Sequence, residues 1–173
     1  MSPNKAYPGK AVKEQKVNIE EVEKEVRAQI ELALANIPQV THLTGHMGAT
    51  SFSEEVLEVV QKLSKEYGLP SIDNHSAAQE YDFIGVGYKG RHGTLEEKKA
   101  SFMKMLSSLE KGKRYMFLDH PAYDDSEMQT VMHIGYEDVP IDRQGVTDLL
   151  KSPEVKKEIE KRGIKIIAIK DLF

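Results

Sequence analysis

Three short apolar runs in this chain end in a histidine, or in a carboxylate beside one: Val40-Thr-His-Leu-Thr-Gly-His46, Pro70-Ser-Ile-Asp-Asn-His75 and Tyr115-Met-Phe-Leu-Asp-His-Pro121. Amphipathic segments of helical period lie between them. Strands separated by helices pair most readily as parallel neighbours, because the crossover that a parallel pair needs is then already present. In a parallel sheet the carboxyl ends of the strands share one rim, and that rim is where ligands bind. Three separate pieces of sequence would then deliver imidazoles and carboxylates to one cleft.

The helical segments carry their own start and stop signals. Asn18 followed by Glu21 predicts a helix start, and Val22, Val26, Ile30 and Ala33 recur at helical spacing through Asn36, with Pro38 as the stop. Val40–Leu43 reads as a strand. Ser51 with Glu54 is expected to open a second helix running to Tyr67, buried through Val56, Val59, Val60 and Leu63 and closed by Gly68. Leu69–Asp73 is a short strand candidate, and the stretch from Asn74 to Gly93, with Gly85, Gly87, Gly90 and Gly93, reads as a long loop. Thr94 with Glu97 starts a third helix whose inner face is Leu95, Phe102, Leu106 and Leu109, ending near Gly112. Arg114–Leu118 returns as a strand. After an irregular stretch from Pro121 to Val139, helices are expected over Asp142–Leu150 and Ser152–Arg162, the second with Pro153 at its first position and Gly163 past its end. Ile164–Ile169 is the last and most apolar strand candidate.

This order predicts an α/β fold with a parallel sheet in a single domain spanning residues 1–173, of which residues 1–17 form an irregular leader. About four strands are visible, whereas a closed (β/α)8 barrel takes about 250 residues. The chain is therefore expected to form either a smaller open sheet or an incomplete, TIM-barrel-like portion of such a barrel.

Composition narrows the chemistry. With 24 Lys and Arg against 28 Asp and Glu, the formal net charge is −4, and the lysines alternate with glutamates on helices, so no basic field is available for a phosphate backbone. Nucleic acid is not an expected partner. The chain has no cysteine, which excludes disulfides, thiolate metal sites and thiol nucleophiles; any metal must be held by imidazole and carboxylate. No apolar stretch approaches the length of a membrane span, and Met1 to Lys16 lacks the apolar middle of a signal peptide. A cytoplasmic protein is expected.

On an extended strand, positions 42, 44 and 46 share a face, so His42 and His46 would point into one cleft; the alternative for His42 is a satisfied core histidine. Asp119 and His120 follow a run buried enough that a charged pair at its end needs a partner or a task; His120 as general acid or transition-state stabiliser is the preferred reading, and a capped strand end with the histidine in a structural hydrogen bond is the alternative. Asp73 and His75 fall at another strand end. His133, Tyr136 and Arg143 are candidates to line a sugar or anion pocket, Tyr123 lies in the loop after His120, and Asp124 and Asp125 are expected to cap a helical turn. The glycines from Gly85 to Gly93 lack the spacing of a dinucleotide loop, and no phosphate-loop motif is present.

With those residues in hand, the chain resembles the YdjC-like (ChbG/HpnK) family of carbohydrate deacetylases. The resemblance rests on Val40-Thr-His-Leu-Thr-Gly-His-Met-Gly48, Lys65-Glu-Tyr-Gly-Leu-Pro70, Met116-Phe-Leu-Asp-His-Pro-Ala-Tyr-Asp124, and the ending from Ser152-Pro-Glu-Val through Arg162-Gly-Ile-Lys-Ile to Asp171-Leu172. It implies a TIM-barrel-like fold and a hydrolase that uses a divalent metal, Mg or Zn, to remove acetyl groups from N-acetylated oligosaccharides. By the same resemblance His46 matches a metal ligand and His120 the histidine that serves the reaction. Asp119, Tyr123, His42, Asp73, His75 and Arg143 are then candidates to line the site. Two elements of the family pattern have no counterpart here, an N-terminal strand with an Asp-Asp pair and a Gly-x-His ligand, and Thr44 stands where the family has Asp. Three further expectations follow: limited activity for the chain alone, a possible homo-oligomer that covers open strand edges, and, as the competing function, a non-catalytic carbohydrate-binding or interaction remnant of the same fold. A phosphoesterase using the same His and Asp groups is the third.

Overall fold

The computed structural model describes residues 16–72, 75–132 and 134–173, the side chains of residues 75 and 76 excepted. Asp73, His133 and most of the expected leader lie outside the described residues, as does the side chain of His75. The chain divides into two compact units, one formed by the residues up to Asp82 together with Ile167–Phe173, the other by Phe83–Ile166. Six α-helices and a small parallel sheet are found among the described residues, and no described helix is long and apolar enough to cross a membrane.

In the first unit, helix α1 (Ile19–Asn36) begins at Asn18, whose side chain accepts from the Glu20 amide at 3.0 Å. Helix α2 (Glu54–Tyr67) is capped by Ser53, which accepts from the Val56 amide at 3.3 Å; the expected cap, Ser51, lies two residues too early. Gly68 ends α2 at φ 64°, a left-handed conformation that glycine adopts without strain. Ile30 of α1 packs with Val59, Leu63 and Leu69, and Val22 and Val26 flank that cluster, so the expected inner faces are the observed ones. Arg27 and Glu66 join the two helices on their solvent side, with Glu23 bridging to Lys62 at 2.7 Å. Leu43 and Ser71 form a single parallel bridge, closed by Leu43 N–H to Pro70 at 2.8 Å and Ile72 N–H to Leu43 at 3.2 Å. Both expected strands thus meet in parallel, but over one residue pair. Helix α3 (His75–Glu80) occupies part of the expected long loop.

Leu63 is fully buried between the two helices. Its replacement by alanine is expected to destabilise this unit by about 2–5 kcal/mol, since transfer energy and an unfilled cavity add. A urea melt showing a lower midpoint at unchanged slope would register that loss.

The second unit is a βαβ unit followed by two helices. Strand β1 (Ile84–Val86) pairs in parallel with β2 (Tyr115–Phe117), with Ile84 opposite Tyr115 and Val86 opposite Phe117. Helix α4 (Leu95–Ser107) connects them. It opens with a capping box in which Thr94 accepts from the Glu97 amide while Glu97 accepts from the Thr94 amide at 2.8 Å. Helices α5 (Val139–Lys151) and α6 (Pro153–Lys161) pack on α4 through a core of Phe102, Met105, Leu106, Leu149 and Val155. Helix α5 starts three residues before the expected Asp142, because Pro140 fits its first turn. Ile164–Ile169, the most strand-like segment by composition, is not a strand: residues 164–168 are unpaired and Ile169–Leu172 form a 3-10 turn. Ile166 is 79% exposed, so hydrophobicity there finds no neighbour to bury it.

Candidate functional site

The second unit places the Asp119-His120 pair at the carboxyl end of β2. Residues paired between β1 and β2 are 31 positions apart, and Tyr88 and Asp119 keep that offset two residues beyond the last pair. The chains continue side by side, and the Tyr88 phenol donates to Asp119 Oδ2 at 2.8 Å. Asp119 Oδ1 accepts from the backbone N–H of His120, also at 2.8 Å. Both carboxylate oxygens are thereby engaged, one by the neighbouring strand and one by the residue that follows.

Tyr88 is held from behind. Its ring meets Phe102 edge-on at 5.5 Å between centroids and lies 6.0 Å from Phe117. Burial first, and then the Asp119 carboxylate, push the Tyr88 phenol well above the ordinary tyrosine range, which keeps it a protonated donor at any physiological pH.

The loop after His120 lies on α5. Ala122 N–H donates to the Arg143 carbonyl at 3.3 Å, Thr147 Oγ1 donates to the Ala122 carbonyl at 2.8 Å, and Asp124 N–H donates to Gln144 Oε1 at 2.9 Å. Lys151 Nζ reaches the Tyr123 hydroxyl at 3.3 Å. Asp125 caps the following 3-10 turn, Met128–Thr130, by accepting from Glu127 and Met128 amides at 3.1 and 3.0 Å, as its position in the sequence predicted. His120, exposed, therefore sits between a braced strand end and a docked loop. Tyr123 is exposed in that loop, and Leu118, one residue before the pair, is 72% exposed. Arg143 reaches this region through its carbonyl, while its Nε is buried and has no hydrogen-bond partner among the described residues.

Beside this rim, the segment Tyr88–Gly93 and Glu97 border an open groove of about 520 Å³. Its floor is polar. Lys98, 1% exposed on α4, pairs with Asp142 of α5 and donates to the Gly90 carbonyl. Asp142 also accepts from the His92 amide at 2.9 Å and from the Tyr136 phenol. His92 Nδ1 lies 2.7 Å from Asp138, and the Arg91 guanidinium stacks 4.1 Å over the Tyr136 ring. Burial and the Asp142 carboxylate raise the Tyr136 phenol to about 12.

In the first unit, His42 is half-buried with Nδ1 2.8 Å from Thr41 Oγ1. His46 is exposed and opens a 3-10 turn, His46–Gly48, in which Met47 has φ 53°. The expected shared strand face of His42 and His46 is replaced by this turn, because extended pairing stops after Leu43. Among the described residues, no three His, Cys, Asp or Glu side chains are grouped so as to hold a metal ion.

Sequence reasoning passed over Tyr88, Lys98 and Asp142. Signals for two of them were present. Ile84, Val86 and Tyr88 alternate with Gly85 and Gly87 in the period of a strand, but the glycines read as loop. Lys98 falls on the apolar face of α4 between Leu95 and Phe102, and a lysine there requires a buried partner. Nothing local identified Asp142, 44 residues away, as that partner.

The family model for YdjC-like protein matches residues 4–161. A carbohydrate deacetylase of Enterococcus faecalis (strain ATCC 700802 / V583) is 28% identical, the match covering 87% of this chain and 60% of that protein. The crystal structure of an Enterococcus faecalis V583 protein described as acting in cellobiose-phosphate cleavage superposes with a TM-score of 0.70 at 23% identity, over 94% of this chain and 64% of that one. The chain thus spans somewhat less than two thirds of the length of these relatives.

Proposed function

Because this chain belongs to the YdjC-like family, we propose that it serves the hydrolysis of N-acetylated sugars, with His120 as the imidazole that acts on the departing amine. The observation that carries this proposal is the exposed His120 at the carboxyl end of a parallel strand, its backbone tied to Asp119 and its following loop docked on α5. The related carbohydrate deacetylase supports the substrate class. In such a reaction water adds to the acetyl carbonyl, the C–N bond breaks, and the nitrogen must receive a proton before the free amine leaves. An imidazolium positioned at the rim supplies that proton, and acetate is the other product.

The fold proposed with this function is TIM-barrel-like; each unit by itself holds a parallel contact, the Leu43–Ser71 bridge in the first and the β1–β2 pair in the second. A divalent metal, Mg or Zn, would polarise the acetyl carbonyl in a complete site. The described residues do not form a cage for one. His46 is the proposed ligand, and further donors would have to join it for the ion to be held tightly. That same shortage of donors favours a second function, carbohydrate binding without turnover.

Incubation with N,N′-diacetylchitobiose decides between them. Acetate release that chelation abolishes supports the hydrolase; saturable binding with no acetate supports the binding protein, and phosphate release from model esters instead of acetate would reject both. In titrations with Zn²⁺ or Mg²⁺, His46→Ala is expected to weaken uptake by at least about 10-fold. Equal heats from the wild type and the variant would remove His46 as a ligand.

A further inference from the structure

We propose that Tyr88 is a positioning residue for His120: its phenol, donating across the two strand ends, holds the Asp119 carboxylate on the His120 backbone and away from the His120 imidazole. The inference rests on the proposed role of His120, and it specifies how the acidity of that imidazole is set.

The geometry carries the argument. Tyr88 and Asp119 are brought together by the register of β1 and β2, and the 2.8 Å contact leaves Asp119 Oδ1 to the His120 N–H. The Tyr88 ring is fixed by Phe102 and Phe117, so the hydroxyl has a defined place. A carboxylate adjacent in sequence to a histidine could otherwise swing to its side chain and pair with the imidazolium. Such a pair would favour the charged form and make the imidazole a poorer proton donor. Clamping Asp119 at both oxygens removes that option. Asp142 of α5 and the Tyr136 phenol also act on Tyr88, raising its phenol further.

The test is an NMR pH titration of the His120 ring in the intact chain, which needs no turnover. Tyr88→Phe keeps the aromatic packing and removes only the hydroxyl. The His120 pKa is expected to rise by about half a unit or more as Asp119 is released toward the imidazole. Adding Asp119→Asn to Tyr88→Phe is expected to cancel that rise. An unchanged or lowered His120 pKa in Tyr88→Phe, or a rise that survives in the double variant, overturns the proposal. A second measurement avoids any change at Tyr88: in Asp119→Asn alone, the Tyr88 phenol is expected to titrate at lower pH than in the wild type, and an unmoved phenol is equally fatal. Where acetate release is measurable, Tyr88→Phe should also carry the alkaline limb of the pH profile upward. Failure of the wild type to release acetate would sink the proposed hydrolysis and leave the titration result standing, so the two failures are distinguishable.

Discussion

Replacing Asp142 with alanine is expected to destabilise the second unit by about 3–5 kcal/mol, the cost of leaving a buried charge without its partner. Lys98 is 1% exposed, and its ammonium has the Asp142 carboxylate and the Gly90 carbonyl as partners. The same substitution removes the acceptor of the His92 amide and of the Tyr136 phenol, so three donors lose this carboxylate at once. Equilibrium urea denaturation measures the loss. A double variant, Lys98→Met with Asp142→Leu, is expected to recover the part that comes from the buried unpaired charge, because a matched apolar pair carries no charge-desolvation penalty, while the His92 amide and Tyr136 phenol still lack this acceptor. A loss below about 1 kcal/mol in Asp142→Ala would show that water reaches Lys98 and that the pair is not sealed.

The same pair sets an acid limit. Burial alone would raise the Asp142 carboxyl, but the hydrogen bonds from Lys98 and Tyr136 and the Lys98 charge outweigh it, leaving the group below its ordinary value. A carboxyl lowered in the folded state binds its proton more readily when unfolded. Its contribution is therefore complete above the unfolded value, about pH 4, and is lost as pH falls from there through the folded value. Stability followed by urea midpoints from neutral pH downward should drop in that window in the wild type and drop less in the Lys98→Met/Asp142→Leu variant.

His120→Ala is expected to reduce acetate release by about 10²- to 10⁴-fold, the range in which a positioned acid or base contributes. The fold should survive, since the side chain is exposed and the hydrogen bond to Asp119 comes from the backbone N–H, which alanine retains. A fall in kcat with little change in KM identifies a group that acts in the transition state rather than in binding. Unchanged turnover in His120→Ala, with the wild type active, would remove His120 from the chemistry and with it the proposed role of the β2 rim.

Much of the helical framework was legible because its determinants are local. The Thr94–Glu97 box, the glycine stop at Gly68 and the inner faces of α1 and α2 depend on groups within four residues of each other. Shifts occurred where two local signals competed. Ser51 and Ser53 both precede acidic residues, and only backbone geometry selected Ser53; Asp142 resembled a helix start, yet it lies within the first turn of α5 and faces Lys98. The His120 pair was visible as polarity at the end of an apolar run. Its bracing by Tyr88 was not, because no sequence pattern states that residue 88 will lie opposite residue 119.

The amino-acid order by itself determined that helices lie over most of α1, α2, α4, α5 and α6, which faces of α1 and α2 are apolar, and that the strands between the helices would run parallel. Tertiary structure alone decided which extended segments became strands and which polar groups met. A helix closes its hydrogen bonds internally, whereas a strand has none until a neighbour arrives. Hence Ile84–Val86, broken by glycine, became β1 beside Tyr115–Phe117, while the more apolar Ile164–Ile169 stayed unpaired. The Lys98–Asp142 and Tyr88–Asp119 contacts join residues 44 and 31 positions apart, and packing of α4, α5 and the two strands is what closes those distances.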